Sequence, residues 1–214
     1  MTVGRTRRCQ CDNVVSMAPP PRALDLVAPH CDIVERLELV PPSASVRGLF
    51  FRNVETQVER AGRLNDYRAH FENDRFAALQ FYPLADYLIR LATAGALVES
   101  PPRLHEGMFA IARGNATSFA QSLLGRALIR LLSRDPVRLS EQGLAAQRQT
   151  HNYGHWAIVK HSSNLIEMVY EDEYQWIESV ITGAAHGTFE ACGIRAQFET
   201  KLKSRFSGST IVRW

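Results

Sequence analysis

The spacing of apolar positions changes character near Tyr153. Upstream, from about Ser45 to His151, apolar side chains recur three and four residues apart, the period at which they share one face of an α-helix. Val46, Leu49, Phe50, Val54 and Val58 form one stripe, with Ser43 or Ser45 as its cap and Gly62 as its stop. Leu84, Leu88, Leu91 and Ala92 form another, with Pro83 in the first turn, where its missing N–H costs nothing. Arg103 to Ser133 reads as a long helical region that Gly114-Asn115 is expected to divide. Its second piece carries Phe119, Leu123, Ala127 and Leu128 on one face. Asp135-Pro136 supplies the cap and first position of a helix running to about Thr150. Two stretches are less regular: Glu35 to Val40 fits a strand or a short helix, and a short helix is expected around Tyr67 to Phe71.

Downstream the period is two. Trp156, Ile158 and Lys160 alternate with Ala157 and Val159, and Leu165, Glu167 and Val169 with Ile166, Met168 and Tyr170. His161-Ser162-Ser163-Asn164 supplies the turn of a first β-hairpin. Asp172 or Glu173 is expected to open a helix striped by Trp176, Ile177, Val180, Ile181, Ala184 and Phe189 and stopped at Cys192-Gly193. A second hairpin runs from Arg195 to Lys203, turns near Phe206-Ser207-Gly208 and returns from Thr210 to Trp214. This order predicts an α+β fold: an N-terminal helical half followed by β-hairpin–helix–β-hairpin forming a small antiparallel sheet. Residues 1–30, with little periodicity and the proline run 19–21, read as a flexible leader, and residues 31–214 as a single α+β domain.

Composition narrows this further. A chain of 214 residues with 45% hydrophobic and 22% charged residues is long and apolar enough for one well-buried core. A net charge of +3, with acids and bases well mixed, gives no electrostatic footprint for nucleic acid. No run approaches the roughly 18–20 apolar residues of a membrane span. The N-terminus has arginines but no apolar stretch to make a signal peptide, so a cytoplasmic protein is expected. Four cysteines at this length are not a disulfide scaffold.

Candidate chemistry is sparse. Cys9, Cys11, His30 and Cys31 number enough soft ligands for zinc, but their spacing is not the two-residue knuckle and the stretch between them is proline-rich, so no metal site is expected. His151 and His155 are four apart, yet Asn152-Tyr153-Gly154 reads as a helix-to-strand junction that separates them. His105, on a helix beside Leu104, Met108 and Phe109, is the only loose candidate for a haem ligand; a helix start flanking a core looks the same. Phosphate-binding glycine loops and a nucleophile elbow are missing, and Glu171-Asp172-Glu173 is explained as a helix-start cluster favoured by the helix dipole. No enzyme activity is therefore expected.

Several stretches resemble a large paralogous family of uncharacterised myxobacterial proteins. They are Val46-Arg47-Gly48-Leu49-Phe50-Phe51, then Tyr82-Pro83-Leu84 with Tyr87-Leu88, then Ser122 to Leu128. Later come Tyr153-Gly154, Glu190-Ala191-Cys192-Gly193 and Ser209 to Trp214. The resemblance spans about Asp32 to Trp214. That family looks distantly related to a superfamily of haem-based nitric oxide and oxygen sensors, vinyl-reductase-type binding domains and a vesicle-tethering (TRAPP) subunit. The resemblance implies helices followed by an antiparallel sheet with an inserted helix, and an apolar ligand or acyl chain between them. It carries over no catalytic residues, and His105 is only loosely placed like the sensors' proximal histidine.

The combined expectation is a non-enzymatic sensory or small-molecule-binding domain, acting in signalling, with an apolar pocket between helices and sheet. Phe50, Tyr87, Phe119, Trp156 and Trp176 are the expected pocket residues, the ligand a small apolar molecule and the cofactor unknown. The alternative is a protein-interaction or scaffold module with a solid core that binds a protein partner or homodimerises by an exposed helix or the sheet edge near Trp214.

Overall fold

The computed structural model describes residues 19–71, 75–121 and 135–214, without the side chains of 119–121. Within the segment read as leader, α1 (Pro21–Val27) starts behind Pro20 and buries Ala23 and Val27 completely against the helical core. Helix α2 (Ile33–Leu39) resolves the strand-or-helix ambiguity of that stretch. Strand β1 (Ser45–Arg47) precedes α3 (Gly48–Arg60) and α4 (Leu64–Arg68); β2 (Phe81–Pro83) precedes α5 (Leu84–Val98). The expected helix at Val46 is thus corrected. Val46 pairs with Tyr82 in an antiparallel ribbon, and the Ala44 carbonyl accepts the Leu84 N–H (2.9 Å), so this backbone bonds across the fold before the helix begins.

Helix α6 (Leu104–Gln121) passes Gly114 without the expected break. A mid-helix glycine costs about 1 kcal/mol, which the packing of α6 outweighs. The helix lies between α5 and α8 (Thr182–Ala191), and both crossings are close. A methyl group on Gly107 would sit 2.1 Å from the Gly95 carbonyl oxygen of α5, and one on Gly187 of α8 would sit 2.3 Å from the Arg113 carbonyl of α6. Helix α7 (Pro136–Thr150) starts as predicted, with the Asp135 carboxylate accepting the N–H groups of Val137 and Arg138, both at 3.1 Å.

The two hairpins, β3 (His155–Ser162) with β4 (Leu165–Glu171) and β5 (Gln197–Ser204) with β6 (Ser207–Arg213), join through β4 and β6 into one antiparallel sheet of order β3-β4-β6-β5. Strand β6, which leads into Trp214, is therefore interior, and the edges are β3 and β5. Period two decides the buried face: Trp156, Ile158, Ile166, Met168, Tyr170, Phe198, Thr210 and Val212 turn inward, where Phe189 and Cys192 of α8 and its cap cover part of them. The inserted helix begins later than expected. Residues 172–176 are irregular, with bends at Asp172 and Gln175, Ile177–Ile181 form a single π turn, and only then does α8 start. The reason lies in what residues 173–176 bond to. No described helix is long and apolar enough to cross a membrane.

Candidate functional site

The segment 172–176 is gripped from both sides. Asp172, the residue after β4, takes a φ of 52°. The Glu173 N–H donates to the Phe206 carbonyl in the β5–β6 turn (2.9 Å). Arg36 of α2 donates from Nη1 to the carbonyls of Tyr174 (2.9 Å) and Gln175 (3.3 Å) and from Nε to Asp32 Oδ1 (2.8 Å). Its guanidinium lies 4.7 Å from the centroid of the Trp176 ring and 5.3 Å from that of Phe206, within cation–π range. Trp176 Nε1 also donates to Asp32 Oδ1 (2.8 Å), and Arg205 pairs with Asp32 Oδ2 (2.9 Å) and with Glu35. Burial would raise the Asp32 pKa, but the Arg36 hydrogen bond and charge, the indole and Arg205 together hold it below the usual carboxylate value.

Inside this grip lies a buried polar cluster. Glu173 is fully buried and accepts from Trp156 Nε1 (2.8 Å) and the Gln175 N–H (3.0 Å). The Gln175 amide nitrogen donates to the Tyr153 hydroxyl (2.8 Å) and lies 3.4 Å from His151 Nε2, while His151 Nδ1 is 2.9 Å from the Thr150 hydroxyl. Gln147 Nε2 donates to the Tyr153 carbonyl (2.8 Å). Ring centroids place Phe50 at 4.8 Å and Tyr153 at 5.4 Å from His151, and Tyr87 at 6.0 Å from Phe50. Burial pushes the Glu173 carboxyl up to about 7, only partly offset by the Gln175 and Trp156 donors. Burial likewise pushes the His151 imidazole down to about 4.

Of the residues expected from sequence, Phe50 and Tyr87 meet at this seam between helices and sheet, and Trp156 joins it through Glu173. Trp176 is fully buried on the other side of the segment, against Arg36 and Asp32. Phe119 lies in the last turn of α6, where side chains are outside the described residues. Sequence reasoning missed Glu173, Gln175 and His151. The helix-start reading of the acidic run is corrected: Glu173 is an interior acceptor for an indole, because the segment bonds to α2 and to the β5–β6 turn and cannot coil. The one signal for it was Trp156 on the inward face of β3, whose N–H needs a buried partner.

Cys9 and Cys11 lie outside the described residues. The Cys31 thiol faces the Val27 carbonyl (3.5 Å), and burial pushes its pKa up to about 11. Among the described residues, no three His, Cys, Asp or Glu side chains are arranged to hold a metal.

An antiparallel sheet built from two hairpins around an inserted helix, with a helical half packed on it, defines an α+β domain of H-NOX-like fold. A crystal structure of an Fe(II) unliganded H-NOX protein from K. algicida superposes with a TM-score of 0.61 at 14% identity, covering 78% of this chain and 95% of that one. An H-NOX protein mutant from S. oneidensis gives 0.57 at 11% identity, with 78% and 95% covered. A structure described as probing the function of heme distortion in the H-NOX family gives 0.54 at 11%, with 78% and 94% covered. The chain itself belongs to the family of proteins of unknown function DUF2378, which matches residues 39–214. A comparison with curated protein sequences finds no match.

The haem in that description prompts a fit test around His105. Its imidazole Nδ1 lies 3.4 Å from the Ser179 hydroxyl and 3.9 Å from Glu178, edge-on to Trp176 at 6.2 Å. His105, Glu178 and Ser179 line an open surface recess of about 420 Å³ with Glu99, Glu106 and Phe109. Toward the interior, Leu104 and Met108 are fully buried, and the Gly95–Gly107 contact brings α5 and α6 to backbone distance. An acid-rimmed, solvent-open recess backed by closed helix packing does not suit a large apolar macrocycle. Among the described residues, those around His105 do not fit a haem.

Proposed function

We propose that this is a non-enzymatic sensory domain that takes a small, largely apolar molecule at the seam between its helical half and its sheet. One observation carries the reading: aromatic walls from four elements converge on a few buried polar groups. Ligand sites combine mostly apolar walls with a small number of placed polar groups. Phe50 of α3, Tyr87 of α5, Trp156 of β3 and Tyr170 of β4 supply the walls, and Glu173, Gln175 and His151 the polar groups. Phe50 and Trp156 are half-buried. Phe119 and Trp176 remain proposed wall residues from α6 and the far side of the segment. The H-NOX-like fold supports a sensory role by analogy alone.

A second reading, an interaction or scaffold module that binds a protein partner or a second copy, is favoured by the packing itself. Tyr87 and Trp176 are buried and wedged among neighbours rather than facing an opening. One experiment separates the two. The freshly purified full chain is examined by native mass spectrometry, then delipidated and heated with oleic acid or indole as probes. A ligand at about 100 times its dissociation constant adds about 2.7 kcal/mol, or very roughly 5–10 °C in Tm for a domain of this size. The sensory reading expects a bound mass or a saturable Tm rise that Phe50→Ala weakens. A stable dimer with no bound mass and no Tm rise favours the module.

A further inference from the structure

We propose that Glu173 and His151 form a charge-switching couple across the seam: both neutral while it is closed, oppositely charged when it opens, with no net proton exchanged with solvent. The couple concerns the seam itself and does not depend on what the seam binds.

The geometry favours two neutral groups. Glu173 is fully buried, and its hydrogen-bond donors among the described residues, the Trp156 indole and Gln175, are uncharged. The Arg36 guanidinium of α2 draws the Glu173 pKa down by its charge, less than burial raises it, and is itself engaged with Asp32 and with the carbonyls of Tyr174 and Gln175. Around the couple, α5 contributes Tyr87, β4 Tyr170, α7 Gln147, α3 Phe50 and the β5–β6 turn the Phe206 carbonyl. None of these is charged at neutral pH. Among the described residues near the segment, Asp172 lies 3.9 Å from His155 and Arg205 pairs with Glu35 and Asp32, on the outer side of the seam. Among the described residues, His151 has a hydroxyl, an amide and two aromatic rings about it and no carboxylate in contact.

Burial raises the Glu173 carboxyl to about 7 from 4.5 and lowers His151 to about 4 from 6.5. Glu173 therefore stabilises the closed seam fully below 4.5, an effect lost as pH rises through about 7. His151 does so fully above 6.5, an effect lost as pH falls through about 4. Between those limits the slopes oppose each other. On opening, the Glu173 carboxylic acid gives up a proton to water and His151 takes one up, so a neutral pair becomes carboxylate and imidazolium. The Gln175 amide, which touches His151 by its side chain and Glu173 by its backbone, joins the two sites. Half a turn of that amide would present its oxygen to the imidazolium.

The test is hydrogen exchange of the amides of residues 172–182 in the full chain, corrected for intrinsic rates, from about pH 5 to about pH 6.5. In the native chain the opening constant is expected to stay within about twofold, because one proton leaves as another binds. In Glu173→Gln it falls roughly fifteenfold across that range, and in His151→Gln it rises by about as much. Variants that both track the native profile overturn the proposal. Should either variant fail to fold, NMR titration of the two side chains in the native chain decides. A carboxyl titrating near 7 and an imidazole near 4 uphold the couple; ordinary values for both overturn it.

Discussion

Replacing Arg36 by methionine tests whether segment 172–176 is held by the guanidinium or merely packed near it. Methionine keeps much of the stem volume, so the change falls mainly on polar contacts. The Tyr174 carbonyl loses a donor at 2.9 Å, and the weaker 3.3 Å contact to Gln175 goes with it. A hydrogen bond from a charged donor contributes about 1.5–3 kcal/mol, and an orphaned buried acceptor costs about 1–3 kcal/mol. The loss at Asp32 sits at the low end of any such range, since that side chain is 28% exposed and keeps Trp176 and Arg205. Together these give about 3–4 kcal/mol, a large part of the roughly 5–15 kcal/mol of a whole domain. Urea unfolding followed by tryptophan fluorescence should show a midpoint lower by about 1.5–2 M at an unchanged slope of about 2 kcal/mol/M. Asp32→Asn and the double variant should be strongly non-additive, because both single changes break one network. A loss below about 1 kcal/mol for Arg36→Met, or native stability in Arg36→Lys, would refute the reasoning, since an ammonium cannot reproduce the forked geometry.

Trp156→Phe keeps the ring but removes the indole donor to Glu173. It should cost about 1–3 kcal/mol at pH 8, where the carboxylate forms, and less at pH 5, where the acid is neutral; equal losses at both pH values would count against a buried ionisable acceptor. Gly107→Ala adds a methyl group 2.1 Å from the Gly95 carbonyl and should lower stability by about 1–3 kcal/mol or more in thermal unfolding, whereas Gly143→Ala, in open space on α7, should be neutral or slightly stabilising. Asp135→Ala removes the acceptor of two N–H groups at the start of α7 and should cost about 1 kcal/mol, while Asp135→Asn keeps most of the cap.

The sheet and its inserted helix were legible because their signals are local. Alternation in Phe198–Thr200 and in Ile166–Tyr170, turn residues at His161-Ser162-Ser163-Asn164, and Asp135-Pro136 each act within a few residues. What escaped was decided by distant partners. Ser45–Arg47 became a strand only because Phe81–Pro83 lies beside it. Gly114 stayed helical only because α6 is enclosed on both sides. In Glu171-Asp172-Glu173 three acids look alike in sequence. Glu171 and Asp172 are exposed, and only an indole seventeen residues earlier singles out Glu173 for the interior. His151 likewise reads as a junction residue until Phe50 and Gln175 enclose it.

Helices usually meet through a cushion of side chains that can change rotamer and take up small displacements. At Gly107 against Gly95, and at Gly187 against Arg113, main chain bears directly on main chain. Both faces of the middle helix are thus closed to any side chain larger than hydrogen at these crossings, and few rotamer changes are left there to absorb a displacement of one helix against the next.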